Sequence, residues 1–186
     1  TALGYFCQLI GGDLRRKDSK SRKKPCDLYI ITTAAKRDRK EWEGDMAPLL
    51  ITTNPGITIY EHKVTGDSWN NIGKYTDVQG AFFIFDEDRV TGYGQWVKSF
   101  LKITNEQRQN QCLILSATPG DTWIDYCPVF IANGFYKNKT DFCNQHVIWS
   151  RFAKFPKIDR YFNTRRLERL RDRILVEMDF ERSTVQ

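Results

Sequence analysis

Three neighbouring carboxylates, Asp86, Glu87 and Asp88, follow directly on Ala81 to Phe85, five apolar residues with no polar alternation. Such a run reads as a strand buried on both faces of a parallel sheet. Open α/β sheets place their ligands beyond the carboxyl ends of their strands. Two adjacent acids at that edge suit a magnesium–nucleotide site, the first holding the ion through water and the second polarising the attacking water. An acidic turn that keeps a strand end solvated is the plainer alternative. Two further strand-like runs end in polar clusters: Leu28 to Thr33 in Thr32-Thr33, and Cys112 to Leu115 in Ser116-Ala117-Thr118. In a parallel sheet the three tips share one edge, so their clusters converge on one crevice.

The intervening segments supply helices to cover such a sheet. Leu3, Phe6, Cys7 and Ile10 have helical spacing, and Gly11-Gly12 stops that helix. After Thr33, the spacing turns Ala35, Trp42 and Met46 toward the sheet and leaves Lys36, Arg37, Arg39 and Lys40 outside. Ile57 to Tyr60 reads as a short strand after the turn Asn54-Pro55-Gly56, and Asp67 to Ile72 as a capped helical turn. Gln95 to Ile103 predicts an amphipathic helix with Trp96, Val97, Phe100 and Leu101 inward. Asp121 to Ala132 reads as a helical run interrupted at Pro128. Thr164 to Ile174 is a charged helix with Leu167, Leu170 and Ile174 on one face, and Leu175 to Phe180 a closing strand or a linker. Strands alternating with helices predict an α/β fold, a doubly wound and mostly parallel sheet with helices on both faces.

Composition narrows the classes. A chain of 186 residues with 40% hydrophobic and 13% aromatic residues is globular. No apolar run approaches the ~18 residues that span a membrane, so no membrane partner is expected. Five cysteines without CxxC spacing argue against zinc and disulfides and for a reducing cytosol. A net charge of +6 permits a polyanionic partner. Seven basic residues and one acid fill Arg15 to Lys24, either a solvated loop or a loop that contacts nucleic-acid phosphates.

Phe85-Asp86-Glu87-Asp88 resembles the Walker B motif of superfamily-two helicases and translocases, and Leu115-Ser116-Ala117-Thr118-Pro119 resembles their motif III. Leu28 to Lys36 is similar to motif Ia, and Asp67 to Ile72 to the segment that precedes the acidic strand in Swi/Snf-like members. With Gly134 to Phe142, the pattern looks closest to helicase-like proteins of phages and prophages, which implies the cytoplasm of a bacterial or phage-infected cell. The resemblance implies a RecA-like P-loop NTPase lobe of three layers over residues 1–160, with 161–186 leading toward a second RecA-like lobe of the same parent. It implies ATP and Mg as cofactors and DNA as partner, RNA remaining open. Asp86 would orient the magnesium ion and Glu87 position the attacking water. Ser116, Ala117 and Thr118 would couple nucleotide state to nucleic acid, and Thr32, Thr33 and Lys36 would contact its phosphate backbone.

Two features of that family have no counterpart in these residues. No GxxxxGK[ST] phosphate loop occurs, since the one Gly-Lys, Gly73-Lys74, is followed by Tyr75. The expectation is that Thr1 falls at or just after such a loop in a longer parent. The second lobe would carry an arginine worth roughly 10³–10⁵ in rate, so this segment alone is expected to be inactive. The competing expectation is a non-catalytic nucleic-acid-binding module that keeps the fold. A nuclease using Asp86, Glu87 and Asp88 on a metal would leave Ser-Ala-Thr unexplained.

Overall fold

The computed structural model describes residues 2–9, 26–54, 62–87, 90, 94–116 and 120–176. The basic loop at Arg15 to Lys24, the strand expected at Ile57 to Tyr60, and residues 177–180 of the closing segment lie outside them. The chain divides into two compact units, Thr1–Pro128 and Val129–Gln186.

In the first unit four strands form one parallel sheet: β1 Leu28–Thr32, β2 Val64–Ser68, β3 Phe82–Asp86 and β4 Gln111–Leu115, in the order β2-β1-β3-β4. Every residue of β1 and β3 is buried, which is why their sequences are continuous apolar runs rather than alternating ones. Leu28 pairs with Val64 on one side and Phe82 on the other, so the three carboxyl ends lie level. Helix α1, Ala2–Leu9, buries Leu3, Phe6 and Cys7 on the face that carries Leu28, Ile30, Phe82 and Ile84. Phe6 meets Phe82 with ring centroids 5.3 Å apart. On the opposite face Tyr29, Phe83 and Phe85 stack in a row. Phe100 of α4, Gln95–Ile103, meets Phe85 edge-on, and Trp69 of the 3₁₀ turn Trp69–Tyr75 stacks on it. The result is an α/β fold with helices on both faces of a parallel sheet.

Several local expectations need correction. Val64–Ser68 is a strand, and only Trp69 onward is helical; Thr65 and Gly66 hide the strand in the sequence, and pairing with β1 creates it. Among the described residues β4 is an edge strand whose residues are exposed or half-buried, not a strand buried on both faces. After α2, Ala34–Asp38, the chain enters α3, Glu41–Met46, through Lys40 in the left-handed region at φ 53°. That break rotates the two helices independently: Ala35 is exposed, while Lys36 and Arg37 turn toward carboxylates instead of solvent. Pro128 sits in the first turn of α5, Cys127–Ala132, where a missing N–H costs nothing, so it opens a helix rather than interrupting one.

The second unit contains α6 Lys139–His146, the antiparallel pair β5 Val147–Trp149 and β6 Ile158–Tyr161, and α7 Thr164–Ile174. Asn138 caps α6 by accepting from the Asp141 N–H at 2.9 Å. Phe130, Tyr136, Phe142 and His146 pack ring against ring, and α7 contributes Leu167, fully buried.

Candidate functional site

The carboxyl edge of the sheet carries the polar ends of β1, β2 and β3 side by side. Register places Thr32 beside Ser68, Ile31 beside Asp67 and Phe85, and Asp86 beside Leu115, so Ser116 follows at the same edge. Ala117, Thr118 and Asp88 lie outside the described residues.

Asp86 is the centre. Its side chain emerges on the α1 face, the face of Thr32 and Ile84, and the residue is only 8% exposed. Three donors converge on Oδ2: the Thr32 hydroxyl at 2.8 Å, the Lys36 ammonium at 3.1 Å and the Trp42 indole N–H at 3.1 Å. None of these three donors is on Oδ1. From the other face, the Trp69 indole N–H donates to the Asp86 main-chain carbonyl at 3.0 Å. The carboxylate is thereby fixed in position.

Glu87 is the next residue, and its backbone lies in the left-handed region at φ 57°. A residue with a Cβ pays about 1 kcal/mol for that conformation. Such outliers cluster at sites where a side chain must be re-aimed. Its side chain is 42% exposed and receives the Lys36 ammonium at 2.9 Å. Lys36 therefore bridges both acids. The hydrogen bond to Glu87 raises the lysine above its ordinary value; burial opposes that rise and Asp86 reinforces it. Thr33 is not a free surface hydroxyl: it caps α2, accepting from the Lys36 N–H at 3.4 Å, and so sets where the lysine begins.

A second network lies beside the first and has no counterpart among the expected site residues. Asp67 Oδ1 accepts from the Arg37 guanidinium at 3.2 Å, Asn71 at 2.8 Å and the Ser68 N–H at 2.7 Å, and Oδ2 accepts from the Tyr75 hydroxyl at 2.6 Å. Burial alone would push this carboxyl up; the donors outweigh it and hold it below the usual carboxylate range. The same contact raises the Tyr75 phenol, together with burial, which is the larger effect. Arg37 also donates to the Ser68 hydroxyl at 3.2 Å. The signal for this network was Asp67-Ser68-Trp69 itself, a strand tip followed by an indole, but its strand was not legible.

Trp42 was read as a sheet-facing apolar residue, and its indole N–H adds a polar role. A cavity of about 220 Å³ opens beside these residues, lined by Thr32, Lys36, Arg37, Trp42, Thr53 and Gly66 among others. Its two innermost cations are matched by Asp86, Glu87 and Asp67, so by charge it is not an anion cradle.

The donor set bears on which cation could bind. Among the described residues, no three His, Cys, Asp or Glu side chains come together as ligands. Magnesium is commonly held by only one or two carboxylates with waters and phosphate oxygens completing its shell. A buried, oriented Asp86 with a more open Glu87 beside it fits that mode. Among the described residues no helix is long and apolar enough to cross a membrane. No family model, curated protein or solved structure matches this chain.

Proposed function

We propose that this chain forms the magnesium-and-water half of the ATP site in a RecA-like motor lobe, within a DNA-dependent helicase or translocase. The observation that carries the reading is the pairing of Asp86 and Glu87 at the carboxyl end of a central parallel strand. The first is buried and oriented by three donors on one oxygen, and the second is open to the crevice. Bound magnesium and ATP would supply the electrophilic γ-phosphoryl group. Asp86 would orient the ion through Oδ1, and Glu87 would hold the attacking water and accept its proton, a contribution of roughly 10²–10⁴ in rate. Ser116, at the neighbouring strand end, would couple that chemistry to nucleic acid.

Lys36 would contact the nucleic-acid backbone, and its ammonium also meets the acidic pair. In the arrangement seen here its ammonium sits between the two acids as their counter-charge, and cation binding would displace it. Thr32 orients Asp86 and Thr33 caps the helix that carries Lys36, so both act behind the site. The reading needs a phosphate-binding loop and a second lobe from a longer parent. The test is DNA-stimulated ATP hydrolysis by that parent with Glu87→Gln: a fall of about 10²-fold or more is expected.

One observation favours the alternative of a non-catalytic nucleic-acid-binding module: the Lys36 ammonium already pairs with both carboxylates. Magnesium-dependent binding of ATP by the parent separates the two. The motor reading requires it, and the binding-module reading does not.

A further inference from the structure

The second unit presents a surface that the nucleotide-site reading does not use. Between β5 and β6, residues 150–157 form the tip of a hairpin closed by the Ser150 N–H donating to the Lys157 carbonyl at 2.8 Å. Phe152 is 99% exposed and Phe155 75% exposed, and Trp149 at the hairpin's edge is 42% exposed. Arg151, Lys154, Lys157 and Arg160 are exposed as well, and no ion pair joins any of them to a described residue. No Asp or Glu occurs between Asp141 and Asp159.

We propose that this hairpin tip binds single-stranded nucleic acid, with Phe152 and Phe155 stacking on bases and Arg151, Lys154 and Lys157 contacting phosphates. The sequence alternates the two residue classes at a fixed interval, Arg151-Phe152 and then Lys154-Phe155, followed by Lys157. Single-strand binders combine these two elements: cations that track the backbone and rings on which unpaired bases stack, whatever their sequence. A duplex keeps its base faces stacked, so protruding rings select for the single strand. Protein-interface cores deplete lysine, which speaks against a protein partner.

The base of the hairpin is built to hold the tip still. His146, immediately before β5, bonds to Phe162, immediately after β6, twice: its carbonyl accepts the Phe162 N–H at 3.0 Å, and its Nδ1 lies 3.1 Å from the Phe162 carbonyl. Nε2 lies 2.7 Å from the Tyr136 hydroxyl, within the buried aromatic cluster. Rings on an anchored support lose less conformational freedom on stacking.

The experiment is fluorescence anisotropy with a labelled oligothymidine of about 20 nucleotides, long enough for common single-strand site sizes, titrated with the whole chain without nucleotide. The Phe152→Ala/Phe155→Ala double variant should bind tenfold or more weakly, as loss of base stacking predicts. Phe152→Tyr/Phe155→Tyr should restore affinity. Arg151→Gln/Lys154→Gln/Lys157→Gln should flatten the slope of log affinity against log salt by about 2. Wild-type affinity in the double alanine variant, loss in the tyrosine variant too, or binding to phosphatidylserine vesicles but not to the oligonucleotide would each overturn the proposal. Because the assay contains no ATP, its result is independent of the roles given to Asp86 and Glu87.

Discussion

At the scale of single residues, the counter-charge on the acidic pair is the most informative contact. Lys36 reaches Asp86 and Glu87 at 3.1 and 2.9 Å. Replacing it with an isosteric apolar chain removes the ammonium that the two carboxylates share. Lys36→Met is therefore expected to gain more thermal stability from added magnesium than the wild type, by about 1 kcal/mol or roughly 2–4 °C for a chain of this size. Melting curves with and without magnesium check this, and equal shifts would contradict it. His146 supplies a second residue-scale prediction. Burial lowers its pKa from the model-compound value of 6.5, and nearby Arg166 lowers it further, against a raising hydrogen bond to the Phe162 carbonyl. A depressed folded-state value means that the unfolded chain binds the proton more readily. Stability from this group is complete above pH 6.5 and is lost as pH falls below it toward the folded value. The second unit should thus lose thermal stability as pH falls below about 6.5, and His146→Phe should flatten that dependence.

At the scale of elements, α4 carries a hydroxyl in the wrong environment. Ser99 is buried with its Oγ facing Gly73 of the 3₁₀ turn Trp69–Tyr75, and among the described residues that Oγ has no hydrogen-bond partner. Ser99→Ala removes a desolvated polar group and improves helix propensity, so chemical denaturation should show a gain of about 1 kcal/mol or more. The same helix shows what the sequence makes legible. Gln95 to Ile103 has an apolar period that can be satisfied by one buried face only, and the helix forms where that period predicts. β1 and β3 are legible for a related reason: burial on both faces demands unbroken apolar runs. β2 is not legible, because Thr65, Gly66 and Asp67 are tolerated there through pairing with β1 and not through propensity. β4 misleads because Cys112 to Leu115 has the composition of an interior strand while, among the described residues, it pairs only with β3. The inward turn of Lys36 and Arg37 follows from the left-handed break at Lys40 and from acids thirty and fifty residues away along the chain, which no local period encodes.

For the whole molecule, the expectation that polar strand tips converge on one edge is the step that joins fold to function. Thr32 and Asp86 are 54 positions apart in the chain and share a hydrogen bond of 2.8 Å. That pair is legible from the strand tips; the roles of Trp42, Arg37 and Asp67 are not, because they depend on side-chain reach across elements. The net charge of +6 adds a prediction at this scale. Affinity for DNA should fall steeply with salt, as phosphate contacts release counterions, and a salt-independent affinity would contradict a polyanionic partner. The most direct measurement of the central claim is DNA-stimulated ATP hydrolysis by the parent protein, comparing wild type with Glu87→Gln. The account predicts that turnover falls by about 10²-fold or more while magnesium-dependent ATP binding persists. Unchanged turnover in Glu87→Gln would contradict it.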